Sequence, residues 1–90
     1  MKKVIITVVG KDSVGIIAKV CTYLADAKVN ILDISQTIVQ GYFNMMMVVD
    51  TSAAVNDFET LSDNLEEIGN QMNCVIRAQR EEIFDKMHRI

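Results

Sequence analysis

Apolar and polar residues alternate with two different periods along the chain, and these periods predict its secondary structure. Residues 4–9 form a short, nearly all-apolar run of β-branched residues, typical of a central strand covered on both faces. The segment 10–13 breaks this run, and apolar residues then recur at helical spacing. We predict a helix there, with Asp12 or Ser13 as its N-cap. Its apolar stripe comprises Ile16, Ile17, Val20, Cys21 and Leu24.

A second strand is predicted over residues 31–39, and its apolar pattern changes phase near its start. Ile31 and Ile34 are three residues apart, so a regular strand cannot place them on one face. A bulge near Leu32 and Asp33 would account for this shift.

A hairpin is predicted next. Gln40 and Gly41 form its two-residue turn, in which Gly supplies a positive φ, and the third strand covers residues 42–50. This strand contains three consecutive methionines, residues 45–47. Alternate side chains of a strand point to opposite faces, so three thioethers cannot converge on one metal ion. We expect them to pack in the core and on the sheet.

The second half of the chain predicts a second helix, a fourth strand and a short C-terminal helix. Asn56 and Glu59 have the spacing of a capping box, and Gly69 lies where a C-terminal cap is expected. The apolar positions of the second helix are Phe58, Leu61, Leu65 and Ile68. Those of the strand are Met72, Cys74, Ile76 and Ala78, and those of the tail are Ile83, Phe84, Met87 and Ile90.

The element order βαββαβ predicts one α+β domain over residues 1–90, with a core of about residues 3–79 and a helical tail of about residues 80–90. Two βαβ halves joined by a hairpin indicate the ferredoxin-like sandwich. This fold has a four-stranded antiparallel sheet with two helices on one face, here followed by the short C-terminal helix. Because this topology occurs in proteins with many different functions, the function has to be inferred from the chemistry of the candidate site residues.

Composition and charge narrow the choice of partners. Half of the residues are hydrophobic and 23% are charged, so we expect some apolar surface to face a partner. Residues 1–45 carry five Lys against three Asp, and residues 46–90 carry four Lys or Arg against nine Asp or Glu. No basic cluster is available to neutralise a row of phosphates, which argues against nucleic-acid binding.

The chain is expected to be cytoplasmic. Cys21 and Cys74 lie in apolar patterns without metal-ligand spacing, which favours buried free thiols in a reducing compartment. The apolar run near the N-terminus ends at Gly10 and no small-residue cleavage site follows it. No run approaches the ~20 apolar residues of a membrane span, so no membrane contact is expected.

Enzyme activity is not expected, because the residues for it are missing. His88 is the single histidine and lies among charged residues of the predicted tail helix, where a solvated side chain is expected. Gly10 and Gly15 have the spacing of a phosphate-binding loop, but Ile16 and Ile17 replace its Lys and Ser/Thr. We therefore predict no catalytic residues, no metal and no cofactor.

One set of groups suits a small zwitterion such as a free amino acid. Gly15 begins a helix, where backbone N–H groups can meet a carboxylate. Asp12 in the same loop can pair with an ammonium group, and Asn30 offers both donors and acceptors. A purely structural role fits each residue equally well: Asp12 caps the helix, Gly15 relieves crowding and Asn30 makes a turn.

Two segments carry a more specific motif. Residues 9–20 are Val-Gly-Lys-Asp-Ser-Val-Gly-Ile-Ile-Ala-Lys-Val, and residues 29–37 are Val-Asn-Ile-Leu-Asp-Ile-Ser-Gln-Thr. In these segments the chain resembles the ACT domain, the amino-acid-sensing module of many metabolic enzymes, and the likeness extends by element order over residues 3–79. It resembles in particular the small stand-alone bacterial ACT proteins, whose tail Ile-Phe-x-x-Met-x-x-Ile matches residues 83–90.

This resemblance implies an effector site formed by Asp12 and the Gly15 backbone at the helix start, and by Asn30 at the start of the second strand. Ligand-binding ACT loops often have Asn where this chain has Asp12. The ligand-binding residues assigned on this basis are Asp12, Ser13, Val14, Gly15, Ile16, Asn30 and Ile31.

The geometry of the first helix then predicts a homodimer. A helix of about fourteen residues separates Asp12 from Asn30 by roughly 20 Å, too far for one small ligand. A two-fold axis that lays this helix antiparallel to its copy brings Asp12 beside Asn30 of the partner subunit. The second strand, an edge strand in this topology, then pairs with its copy. Further association of dimers is left open.

Two functions therefore compete. In the first, the protein is a homodimeric regulatory sensor of an amino acid or related metabolite, acting on a separate enzyme or regulator. In the alternative, it is a ligand-free structural or oligomerisation module that regulates a partner protein. Substitution of Asp12 and Asn30 abolishes a ligand response in the first case and changes little in the second.

Overall fold

The structure is a computed structural model that describes residues 2–11 and 15–81. Within these residues the chain forms β1 (Lys3–Lys11), α1 (Ile16–Asp26), β2 (Asn30–Val39), β3 (Tyr42–Asp50), α2 (Phe58–Gln71) and β4 (Cys74–Arg80). All neighbouring strands are antiparallel, in the order β2-β3-β1-β4. The ferredoxin-like βαββαβ fold is thereby confirmed, and the predicted tail helix lies outside the described residues.

The sheet has one face covered by both helices and one open face. Met45 and Met47 are 2% and 0% exposed and belong to the core, whereas Met46 between them is 40% exposed. The predicted divergence of the three methionines is confirmed. From α1 and α2, the core receives Ile16, Val20, Leu24, Leu61, Leu65 and Ile68. We call the side of the sheet that contacts them the helix face and the other side the open face.

The start of α1 differs from the prediction. Gly15, not Asp12 or Ser13, occupies the N-cap position, with a left-handed backbone at φ 95°. Glycine adopts this conformation readily because it has no Cβ, whereas the prediction considered only side-chain caps. Asp12 and Ser13 lie outside the described residues. The helix has eleven residues, shorter than the fourteen or so predicted, and is about 16 Å long.

The start of α2 is shifted by one residue from the predicted capping box. Asp57 rather than Asn56 is the N-cap, and its Oδ1 accepts a hydrogen bond of 2.8 Å from the backbone N–H of Thr60. Asp and Asn are nearly equal in capping preference, so the sequence did not distinguish these neighbours.

The end of α2 also corrects the prediction. Gly69 is not the cap, because the helix continues to Gln71 and Met72 is the C-cap. The residue that takes the left-handed conformation is Asn73, with φ 57°. The fourth strand accordingly starts at Cys74, two residues later than expected.

The β2–β3 hairpin agrees with the sequence interpretation. The register shifts between Ile31 and Asp33, which makes Leu32 the extra residue of the predicted bulge. Gln40 and Gly41 form the two-residue turn, with φ values of 51° and 82°. Two positive φ angles are characteristic of the type I′ turn, whose twist matches that of the strands.

Candidate functional site

The two halves of the predicted ligand site lie at opposite ends of the sheet. Gly15 follows the end of β1, where Lys11 pairs with Tyr42. Asn30 begins β2 and pairs with Asp50, which on its other side pairs with Lys3 at the start of β1. Because α1 runs about 16 Å between these ends, one protomer does not bring the two halves together.

The first half is the N-terminus of α1, which is sterically open. Gly15 is exposed, and a Cβ built on it would meet no atom of residues 2–11 and 15–81 within 4 Å. The N-cap therefore offers no side chain to the first-turn N–H groups, and the first turn contains no acidic residue. A helix end of this kind favours a carboxylate or another anion. Asp12, Ser13 and Val14, predicted to complete this half, lie outside the described residues.

Two of the predicted ligand-binding residues point their side chains away from solvent. Ile16 is 1% exposed and belongs to the core, so its main chain is the part available to a ligand. Ile31 is half-buried, pairs with Val49 and packs against the core. Both residues position the backbone at the two half-sites.

The second half contains a carboxylate that the sequence analysis missed. Asp50, opposite Asn30 in the register, accepts hydrogen bonds from the Ser52 hydroxyl at 2.6 Å and from the Ser52 N–H at 2.9 Å. These hydrogen bonds, that of the hydroxyl foremost, hold the pKa of Asp50 below its ordinary value. A negative charge therefore lies beside Asn30 at neutral pH. Only strand pairing reveals this neighbour, because twenty residues separate the two along the chain.

An apolar surface lines the outer edge of the sheet along β2. Ile34 and Ile38 pair with Met47 and Phe43, which places them on the helix face. They are nevertheless 42% and 59% exposed, so the described helices leave these two side chains of the edge strand uncovered. Such an edge also presents unpaired backbone groups to a further strand.

One flank of α1 continues this surface. Tyr23 contacts Asn64 of α2, with a hydrogen bond of 2.9 Å from Asn64 Nδ2 to the Tyr23 hydroxyl. At 100° per residue, Ile17 and Cys21 lie on the opposite side of the buried stripe, toward β2, and both are half-buried. We call Ile17, Cys21, Ile34 and Ile38 the edge surface.

The described residues, 2–11 and 15–81, contain neither a group of metal ligands nor a helix able to span a membrane. No three His, Cys, Asp or Glu residues there are grouped to hold a metal ion. Cys21 and Cys74 are free thiols, half-buried and buried respectively. Neither helix of residues 2–11 and 15–81 has the length and apolar character needed to cross a membrane.

Solved structures with the same fold include domains of larger enzymes. The structure of this chain is similar to that of an ACT domain protein from Streptococcus pneumoniae, with a TM-score of 0.81 and 45% identity, over 93% of this chain and 94% of that one. It also matches a formyltetrahydrofolate deformylase from Pseudomonas syringae at a TM-score of 0.82 and 22% identity. That match covers 89% of this chain and 28% of the deformylase, and it shows the fold alone.

Sequence relatives match over the whole length. A UPF0237 protein of Bifidobacterium longum is 63% identical over 90 residues, which is all of both chains. Another UPF0237 protein, from Clostridium acetobutylicum, is 51% identical over 98% of this chain and 99% of its own. The family model of the ACT domain matches residues 2–79. The chain therefore belongs to the ACT-domain family, a family of ligand-binding regulatory domains.

Proposed function

We propose that this protein is a homodimeric sensor that binds an amino acid or a similar zwitterion at the seam between two copies. The observation that carries this proposal is the separation of the two half-sites. The open start of α1 and the Asn30–Asp50 pair lie at opposite ends of one protomer. Each half-site therefore needs a complement that a second, inverted copy supplies.

The edge surface supports the arrangement of the two copies. A two-fold axis beside β2 pairs this strand antiparallel with its copy, which continues the sheet across the seam. Ile34 and Ile38, exposed in the single chain, then face their copies. The inversion brings Asn30 of the partner subunit to the end of the sheet where Gly15 starts α1.

The charges of the two half-sites suit the two ends of a free amino acid. The carboxylate of the bound amino acid lies at the N-terminus of α1, where backbone N–H groups and the helix dipole favour an anion. The ammonium group lies near Asp50 and Asn30 of the partner subunit, the first ionised at neutral pH and the second able to accept a hydrogen bond. The proposal thus excludes a simple dianion as the preferred ligand.

The output passes to a separate enzyme or regulator. The Pseudomonas syringae deformylase has the same fold in 28% of its length, whereas the Bifidobacterium longum relative is matched over its whole length. Because a ligand at the seam contacts both copies, its binding stabilises the dimer, and the dimer is the form that a partner would recognise.

A thermal-shift screen of the purified protein against the twenty amino acids tests this proposal. A ligand at a hundred times its Kd adds about 2.7 kcal/mol of stability. For a domain of this size that is roughly 10 °C or more. The shift should disappear in Asn30→Ala and in Asp50→Asn, which remove the two groups proposed to hold the ammonium end. It should persist in Asn70→Ala, a matched control on the exposed side of α2.

The alternative function, a ligand-free oligomerisation module, rests on the edge surface alone. The apolar character of Ile34 and Ile38 drives association whether or not a ligand occupies the seam. The same screen separates the two functions. An intact dimer without a shift for any compound favours the module, and a shift that survives Asn30→Ala contradicts the proposed seam site.

A further inference from the structure

Two isoleucines of the edge surface lie at the end of the sheet where α1 begins. Ile38 pairs with Phe43, which pairs on its other side with Gly10 near the end of β1. Ile17 follows Gly15 by two residues, on the side of α1 toward β2. Ile38 is 59% exposed, and Ile17 is half-buried. An apolar surface therefore adjoins the helix start that is proposed to bind a carboxylate.

The start of β2 adds a third isoleucine in the proposed dimer. Because β2 spans residues 30–39, full antiparallel overlap with its copy sets residues 38–39 beside residues 30–31 of the partner subunit. Ile31 lies on the helix face, where it pairs with Val49 and packs against the core. A two-fold axis perpendicular to the continuous sheet keeps both helix faces on one side. The partner's Ile31 thus lies on the same side of the sheet as Ile38.

The two described elements beside this position present no charged side chain to it. Asp33, the charged residue of β2, pairs with Val48 and lies on the open face. The charged residues of α1 are Lys19 and Asp26, and at 100° per residue each lies about 160–180° around the helix from Ile17. The exposed residues of β2 on the helix face, from the bulge to the hairpin turn, are Ile34, Gln36 and Ile38.

These surroundings discriminate between the side chains that a bound amino acid can carry. A charged side chain would lose water without gaining a counter-charge from α1 or β2, which is costly. An aliphatic side chain instead removes apolar surface from water, both its own and that of Ile17 and Ile38. The seam therefore selects against charge and favours hydrocarbon.

We propose that the ligand is an amino acid with an uncharged aliphatic side chain, such as valine or leucine. Ile17, Ile38 and the partner's Ile31 contact this side chain, while the two half-sites hold the carboxylate and the ammonium group. The inference rests on the proposed sensor function and names the class of amino acid within it.

Pairs of amino acids of equal shape test the side-chain class by isothermal titration calorimetry on the full chain. Leucine and asparagine form one such pair, and valine and threonine the other. We expect leucine to bind at least about tenfold more tightly than asparagine, because the amide would be buried without a partner. Valine should likewise bind more tightly than threonine.

The outcomes separate this inference from the sensor function itself. Equal or tighter binding of asparagine and threonine, or a preference for lysine or glutamate, would overturn the aliphatic class and leave a sensor of amino acids. An absence of binding by every amino acid would overturn both.

Ile38→Ala tests whether this surface causes the preference. The ratio of the leucine affinity to the alanine affinity should fall by at least about threefold, since the longer side chain loses more contact. A weakened dimer would lower both affinities together and leave that ratio unchanged. Val39→Ala is the matched control, because Val39 is 63% exposed and pairs with Tyr42 on the open face. An equal ratio in Ile38→Ala and Val39→Ala would overturn the assignment of the side chain to this surface.

Discussion

Gly69 of α2 lies against the main-chain carbonyl of Cys74 in β4. A Cβ built on Gly69 would lie 2.7 Å from that oxygen, a distance that real Cβ atoms essentially never reach. The helix therefore approaches the strand at a position where only glycine fits. This close approach follows immediately from the short turn at Asn73, whose left-handed φ of 57° returns the chain under α2.

Gly69→Ala should destabilise the protein by roughly 1–3 kcal/mol, because the added methyl group meets backbone that cannot move independently. Alanine is the better helix former by about 1 kcal/mol, so intrinsic propensity alone predicts the opposite sign. Urea unfolding measures the difference. Asn70→Ala, on the exposed neighbouring position of α2, is the control and should be neutral or stabilising. A stabilised Gly69→Ala variant would show that α2 and β4 can move apart without a loss of stability.

The periodicity of apolar residues predicted the topology well, because each helix and strand buries one side in the core. That burial produces the apolar period that is visible in the sequence. The bulge at Leu32 and the turn at Gln40–Gly41 were predictable for the same reason, since each interrupts a pattern of period two. Gly69 was misinterpreted as a cap because its role depends on Cys74, a contact that local sequence does not encode.

The candidate site was predictable only in part. Gly15 was singled out for the N–H groups of a helix start and Asn30 for its hydrogen-bonding amide, and the structure places the two at opposite ends of the sheet, as the expected direction of α1 requires. Asp50 was missed, because it becomes a neighbour of Asn30 only through strand pairing. The exposure of Ile34 was hidden for a related reason: sequence shows an apolar residue but not that the helices stop short of it.

Tyr23→Phe should destabilise the protein by about 0.5–1.5 kcal/mol, because it removes the hydroxyl that accepts the partly buried hydrogen bond from Asn64. This bond joins α1 to α2. Tyr42→Phe is the matched control, since Tyr42 is 54% exposed, and should have almost no effect. Equal effects of the two substitutions in urea unfolding would mean that the Tyr23–Asn64 bond adds nothing to stability.

Asp57 should contribute to the loss of stability in acid. The hydrogen bond from the Thr60 N–H lowers the pKa of Asp57 in the folded state relative to the unfolded chain. The stability that Asp57 contributes is therefore present above its unfolded-state pKa of about 3.9. It is lost as the pH falls through the pKa of Asp57 in the folded state. Thermal unfolding between pH 7 and pH 2.5 measures this loss.

Two substitutions of Asp57 separate its charge from its capping role. Asp57→Asn keeps an acceptor at the N-cap and should retain most of the Tm at pH 7 while showing a smaller decrease in acid. Asp57→Ala removes the acceptor and should lower the Tm already at pH 7. A variant Asp57→Asn with the full acid dependence of the original protein would assign that dependence to other carboxylates.

Gln40→Asn should stabilise the β2–β3 hairpin by up to about 1 kcal/mol. Gln40 has a left-handed backbone at φ 51°, which Asn adopts with less strain. Gly41→Ala should act in the opposite direction by about 1–2 kcal/mol. A Cβ there has open space, but φ is 82°, so backbone strain alone opposes it. Urea unfolding of both variants checks the signs, and a destabilised Gln40→Asn would contradict the type I′ assignment.

Ile34→Lys should convert the proposed dimer into a folded monomer. Ile34 is 42% exposed and outside the core cluster, so the substitution leaves the fold of the single chain intact. At the seam, a lysine on an edge strand opposes pairing with a second copy, because its charge would be desolvated. Val75→Lys places the same charge on β4, the other edge strand, where Val75 is 56% exposed.

Sedimentation equilibrium should therefore give a dimer for the original protein and for Val75→Lys, and a monomer for Ile34→Lys. Circular dichroism on the same samples verifies that each variant is folded. A monomeric original protein would remove the seam itself, and dissociation by Val75→Lys alone would relocate the interface from β2 to β4.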